Sequence, residues 1–127
     1  MKSSIEHVAL FAKDLEKSKD FFVRLFDMRV VLDNSKAPVR GYFLANESGS
    51  VLEMIERPEG QTNANQRYVC HLAFAVEDVE SARKVLEEEG LVFETDTVVD
   101  TSEFQTAFFR DPEGNRIQIL KRLKSLV

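Results

Sequence analysis

The chain has no tryptophan, one cysteine, three prolines and five glycines in 127 residues, and these scarcities exclude several architectures. A lone Cys70 cannot form an internal disulfide, which rules out a disulfide-stapled scaffold and fits a reducing cytoplasm. So few prolines and glycines exclude collagen-like and low-complexity segments. No apolar run reaches the roughly 20 residues that a membrane-spanning helix needs. The first residues do not read as a secretory leader, because Asp14 and Glu16 interrupt the apolar stretch around Val8–Ala12. Positive charge is not in surplus either: the net charge is −5, with no basic stripe, so neither nucleic acid nor an anionic membrane is an expected partner. With 43% hydrophobic residues, the chain has enough apolar material for one compact domain.

What the sequence does contain is a repeat. His7-Val8-Ala9-Leu10-Phe11-Ala12-Lys13-Asp14-Leu15 aligns with His71-Leu72-Ala73-Phe74-Ala75-Val76-Glu77-Asp78-Val79. Further along, the segment from Phe43 to Glu53 matches that from Phe108 to Gln118 at nearly the same offset. Each copy reads as a strand (5–11 and 68–76) followed by a helix N-capped by Asp14 or Asp78. Gly90 is placed to stop the second helix. Three further strands complete each copy, at 29–32, 39–45 and 50–55, then at 91–99, 104–110 and 116–120. The turns 46–49 and 111–115 supply the Gly, Asn and Pro that tight connections need. The expected fold is therefore α+β: two tandem βαβββ modules forming a cupped mixed β-sheet with helices on the outside. Residues 1–127 form one domain, with module one at 4–57, a polar linker at 58–66 and module two at 67–122.

Strand alternation sorts the side chains. Val8, Leu10 and Ala12 share one face with the helix, as do Leu72, Phe74 and Val76, so His7 and His71 point to the other face beside the small Ala9 and Ala73. Cys70 falls on the helix side, where an inert buried thiol is expected. A histidine in a strand is more often structural than functional. These, however, are the only two in the chain, and they stand at equivalent repeat positions. Glu53 lies within the apolar run Val51-Leu52-Glu53-Met54-Ile55, where an unpartnered carboxylate would carry a desolvation penalty. Its repeat equivalent is Gln118. Two imidazoles and two side-chain oxygens, with room for water, suit a divalent transition ion.

These residues carry a resemblance that covers nearly the whole chain. Ile5-Glu6-His7-Val8-Ala9, Asp14-Leu15, Phe21-Phe22, Val51-Leu52-Glu53-Met54, His71-Leu72-Ala73-Phe74 and the Asp111-Pro112-Glu113-Gly114-Asn115 turn before Arg116-Ile117-Gln118 resemble the vicinal-oxygen-chelate superfamily of glyoxalases, bleomycin-resistance proteins and dioxygenases. The resemblance implies His7, Glu53, His71 and Gln118 as ligands of nickel, zinc, manganese or iron, and a homodimer. It further implies a lyase or isomerase that moves a proton through a metal-stabilised enediolate, with the shuttle resting on Glu53, the candidate catalytic carboxylate that doubles as a ligand, or on metal-bound water. Gln118 stands where glyoxalase I usually has glutamate, so it can ligate but cannot act as a base. The positions expected to hold glutathione carry Phe11 and Arg57, which do not match that role, so another small oxygenated substrate is expected. Phe11, Tyr42 and Phe104 are candidates to line its pocket. The competing class is a metal-free protein that sequesters a ligand, as bleomycin-resistance members do.

Overall fold

A computed structural model describes residues 2, 6–57, 71–124 and 126. The chain divides into two compact units, Met1–Asn63 and Ala64–Val127. Ile5, Cys70 and the expected linker lie outside the described residues.

The first unit runs β1 (Val8–Ala12), α1 (Leu15–Leu25), β2 (Arg29–Asn34), β3 (Gly41–Ala45) and β4 (Val51–Glu56). Its four strands lie in the order β1-β4-β3-β2, with β1 parallel to β4 and the other pairs antiparallel. The second unit repeats this plan with β5 (His71–Ala75), α2 (Val79–Glu88), β6 (Val99–Asp100), β7 (Phe104–Arg110) and β8 (Arg116–Arg122), in the order β5-β8-β7-β6. The two mixed sheets, each with its helix, match the expected βαβββ modules. Among the described residues, no helix is long and apolar enough to cross a membrane.

Both helices start where short acidic side chains can accept from free backbone amides. Asp14 accepts from Lys17 N at 3.1 Å, and Asp78 accepts from Ser81 N at 3.0 Å. Helix α2 stops at Gly90, whose φ of 89° is costly for any residue with a Cβ. There the amides of Gly90 and Leu91 return to the carbonyls of Glu87 and Leu86, closing the last turn. Helix α1 ends at Asp27, which takes a positive φ of 51° where the second copy has glycine.

Each helix covers one face of its own sheet. Phe22, Leu44 and Met54 are fully buried in the first unit, and Phe109, Ile117 and Ile119 in the second. Beside them, Phe21 meets Phe22 edge-on at 5.0 Å, and Phe93 tilts against Phe109 at 5.1 Å. The two-residue period holds in β4, where Leu52 and Met54 are buried and Val51, Glu53 and Ile55 are not. In β1 the helix-side set is less complete, because Val8 remains exposed.

Two expected strands come out differently. The stretch 39–45 begins only at Gly41, since Pro38 lacks an amide and the chain bends through it. The stretch 91–99 is broken: Phe93 makes an isolated bridge to Phe109, and Thr95–Thr97 form a 3-10 turn. The Thr97 amide and hydroxyl both donate to Glu94 O, which diverts the chain and leaves β6 only Val99–Asp100. The turn from Asp111 to Asn115 is organised by the buried Asp111 carboxylate. It accepts from the amides of Glu113 and Asn115 and from Asn115 Nδ2. Burial nevertheless pushes the Asp111 carboxyl above its usual range, outweighing those donors.

Candidate functional site

In each sheet the face away from the helix gathers the repeat-related polar residues. In the first unit, Ala9 pairs with Glu53, and Glu53 with Phe43, so these three side chains share one row on that face. His7 precedes β1 and brings its Nε2 to 3.2 Å from Glu53 Oε2. Its ring lies edge-on to Phe43, with centroids 5.3 Å apart. On the other side of the ring, Nδ1 meets the Glu6 carboxylate. Glu6 foremost, aided by Glu53, raises the His7 pKa above 6.5.

The second unit repeats this row with different chemistry. Ala73 pairs with Gln118, and Gln118 with Phe108. His71 lies edge-on to Phe108 at 5.1 Å, nearly the geometry of His7 on Phe43. The Arg116 guanidinium sits 4.0 Å above the same Phe108 ring and is forked onto Glu94, with contacts of 3.2 and 2.8 Å. Gln118 Nε2 donates to Thr106 Oγ1 at 2.8 Å, and the Thr106 hydroxyl donates to Ile119 O at 2.9 Å.

Each module therefore presents an imidazole and a side-chain oxygen on one sheet face: His7 with Glu53, and His71 with Gln118. Among the described residues, His, Cys, Asp and Glu side chains form no group of three that would enclose an ion. Neutral imidazole, carboxylate and amide oxygen fit a borderline divalent ion.

The candidate pocket residues separate. Phe11 is exposed, and alternation along β1 puts it on the face of Ala9 and Glu53. Phe104 lies on the face of Gln118, beneath the Arg122 guanidinium at 5.7 Å. Tyr42 is the correction. It pairs with Met54, is buried on the helix side, and its hydroxyl donates to Glu16 of α1. Lys19 stands over the Tyr42 ring and pairs with Glu16 at 2.9 Å, so this cluster fastens α1 to the sheet. A cavity of about 420 Å³ opens in the second unit, lined by Val79, Arg83, Val99 and Gln105 among others, and neither His71 nor Gln118 lines it. Sequence reasoning missed Phe43, Phe108, Arg116 and Thr106. The two phenylalanines head the matching repeat segments and were open to detection there.

Residues 4–119 match the model of the Glyoxalase/Bleomycin resistance protein/Dioxygenase superfamily. Among curated proteins, the uncharacterized protein YwkD of Bacillus subtilis (strain 168) is 31% identical, over 94% of this chain and 97% of YwkD. Among solved structures, a glyoxalase family protein from Enterococcus faecalis shares 26% identity, covering 93% of this chain and 97% of its own, with a TM-score of 0.75. The genomically encoded fosfomycin resistance protein FosX from Listeria monocytogenes, complexed with Mn(II) and a sulfate ion, shares the fold at 20% identity. That match has a TM-score of 0.77 and covers 99% of this chain and 94% of FosX.

Proposed function

Because this chain belongs to the Glyoxalase/Bleomycin resistance protein/Dioxygenase superfamily, we propose that it is a metal-dependent, glyoxalase-like lyase or isomerase. It acts on a small oxygenated substrate by proton transfer. The observation that carries this reading is His7 Nε2 at 3.2 Å from Glu53 Oε2 on an open sheet face, with His71 and Gln118 at the equivalent places of the second module. A carboxylate and an imidazole held together there are donors to a cation, and FosX, with the same fold, is seen with Mn(II).

His7 with Glu53 in the first module, and His71 with Gln118 in the second, are the residues that would bind a divalent ion. When bound, a divalent ion polarises the substrate's oxygens and stabilises negative charge developing on them. Glu53 takes the proton from the carbon beside the polarised carbonyl and returns it to the neighbouring position. Of the two repeat-equivalent oxygens, only this carboxylate can accept a proton, because the Gln118 amide is not a base. Phe43 and Phe108 press edge-on against His7 and His71 and hold the imidazole planes. Phe11 and Phe104 give apolar surface beside those rows. With Phe11 and Arg57 in place of polar and amide side chains, the substrate carries no glutathione.

Metal content decides between this reading and a metal-free binding protein. Protein purified without chelator should hold a divalent transition metal in stoichiometric amount by plasma mass spectrometry. His71→Ala should lose it, with metal affinity at least about tenfold weaker. Wild-type protein that neither carries nor takes up such a metal would exclude the enzyme and leave a ligand-sequestering role.

We also propose a homodimer, supported by Val30, Val31 and Leu32, which lie exposed along the edge strand β2. Light scattering should give twice the 14.5 kDa chain mass, and Val31→Lys should return it to the monomer value.

A further inference from the structure

The hydrogen bonds around Gln118 form a chain with only one consistent direction. Ile119 O is a carbonyl and can only accept, so the single hydroxyl proton of Thr106 is committed to it at 2.9 Å. Thr106 Oγ1 is then left only as an acceptor toward position 118. The Gln118 atom at 2.8 Å must accordingly be the nitrogen, which leaves the amide oxygen at the end turned away from Thr106. Thr106 is itself buried, at 3% exposure, and it stands in a regular antiparallel strand opposite Leu120. Its rotamer is therefore fixed by packing as well as by the carbonyl.

The first module has nothing equivalent. The place of Thr106 is taken by Gly41, opposite Ile55, where a Cβ would lie 2.5 Å from Met54 O. No hydroxyl stands there to fasten Glu53, and its carboxylate reaches His7 instead. The duplicated module thus holds one of its two repeat-related side chains, through its amide nitrogen, by a neighbouring hydroxyl and leaves the other to its histidine.

We propose that Thr106 is a positioning residue that fixes the Gln118 amide with its carbonyl oxygen presented as a neutral donor to the divalent ion. This rests on the metal-dependent reading above. Thr106 touches neither ion nor substrate; it removes the alternative orientation, in which the amide NH₂ would face a cation.

The test compares wild type, Thr106→Ser and Thr106→Val, each freed of metal and titrated with manganese(II) by calorimetry. In parallel, solvent exchange of the Gln118 side-chain NH₂ is followed by nitrogen-15 NMR in the metal-free proteins, with the signal assigned by its loss in Gln118→Glu. The serine variant, which keeps the hydroxyl, should bind manganese within about twofold of wild type. The valine variant should bind about tenfold more weakly, within the range for loss of a group that orients a ligand. The Gln118 NH₂ should exchange slowly in wild type and Thr106→Ser, and as fast as a free glutamine in Thr106→Val. Wild-type affinity in Thr106→Val, or fast exchange in the wild type itself, would overturn the proposal. Wild-type exchange does not depend on the valine variant, so a poorly folded valine protein does not remove the test. Absence of manganese binding in wild type defeats the metal reading and the donor role with it, while the exchange data still show whether Thr106 orients the amide.

Discussion

Glu53→Gln should slow substrate proton exchange by about 10²- to 10⁴-fold, the range usual for loss of a positioned general base. The substitution keeps the side chain's size and leaves an oxygen able to ligate, but removes the lone pair that takes the proton. Glu53 is neither in the core nor at a helix cap: its side chain is 24% exposed on the face opposite α1. Folding should hardly change, so lost activity would not be explained by lost protein. Incorporation of deuterium from solvent at the carbon beside the substrate carbonyl is the direct measurement. An independent mark comes from the metal-free protein. Glu6 foremost, and Glu53 after it, raise the His7 pKa, so removing the Glu53 charge should lower it in an NMR titration while Glu6 keeps part of the rise. Full activity in Glu53→Gln would remove Glu53 from the chemistry, whatever the metal content. By contrast, Gln118→Ala should weaken metal binding and leave the base intact.

The second large effect is structural. Phe109→Ala should cost about 3–5 kcal/mol, comparable to the whole stability of a marginal domain. Phe109 has no exposed surface, packs 5.1 Å from Phe93, and pairs in register with Ile117, which is also fully buried. The sheet backbone cannot close over the missing ring, because β7 is held at Phe109 by β8 on one side and by the Phe93 bridge on the other. Phe109→Leu should lose less, since most of the volume remains. Urea denaturation measures both, and a cost below about 1 kcal/mol for the alanine variant would show that the site collapses around the loss.

Much of this could be read from the sequence because duplication writes each signal twice. Asp14 and Asp78, each at the end of an alternating strand, mark two helix starts, and both cap as expected. The alternation in Val51-Leu52-Glu53-Met54-Ile55 places Glu53 opposite the helix face, and the sheet keeps it there. Tyr42 was harder to place. Its face depends on where β3 begins after Pro38, and a shift of one residue inverts every side chain. The break at Thr95–Thr97 arises because the Thr97 hydroxyl competes for Glu94 O, a contact that residue periodicity does not record. Thr106 escaped notice for a related reason. Its partner Gln118 lies diagonally across two strands, and its repeat equivalent, Gly41, carries no side chain to draw attention.

The parallel pairing in each module has a kinetic consequence. Strands β2, β3 and β4 follow one another as antiparallel neighbours, and so do β6, β7 and β8, so each set assembles from contacts close in sequence. Strands β1 and β5 must instead wait for β4 and β8, because Val8 pairs with Leu52 and Leu72 with Ile117 across the whole helix and hairpins. Closing those long loops carries the larger entropy cost, and each late strand sits at the edge of its sheet. These strands should therefore be the last to dock and the first to exchange their amide hydrogens. His71 opens β5, and His7 stands immediately before β1. If an ion is held by His7 and Glu53, or by His71 and Gln118, as proposed, it would clasp the start of the last-formed strand to the one that receives it, and metal loading would be coupled to completion of the fold.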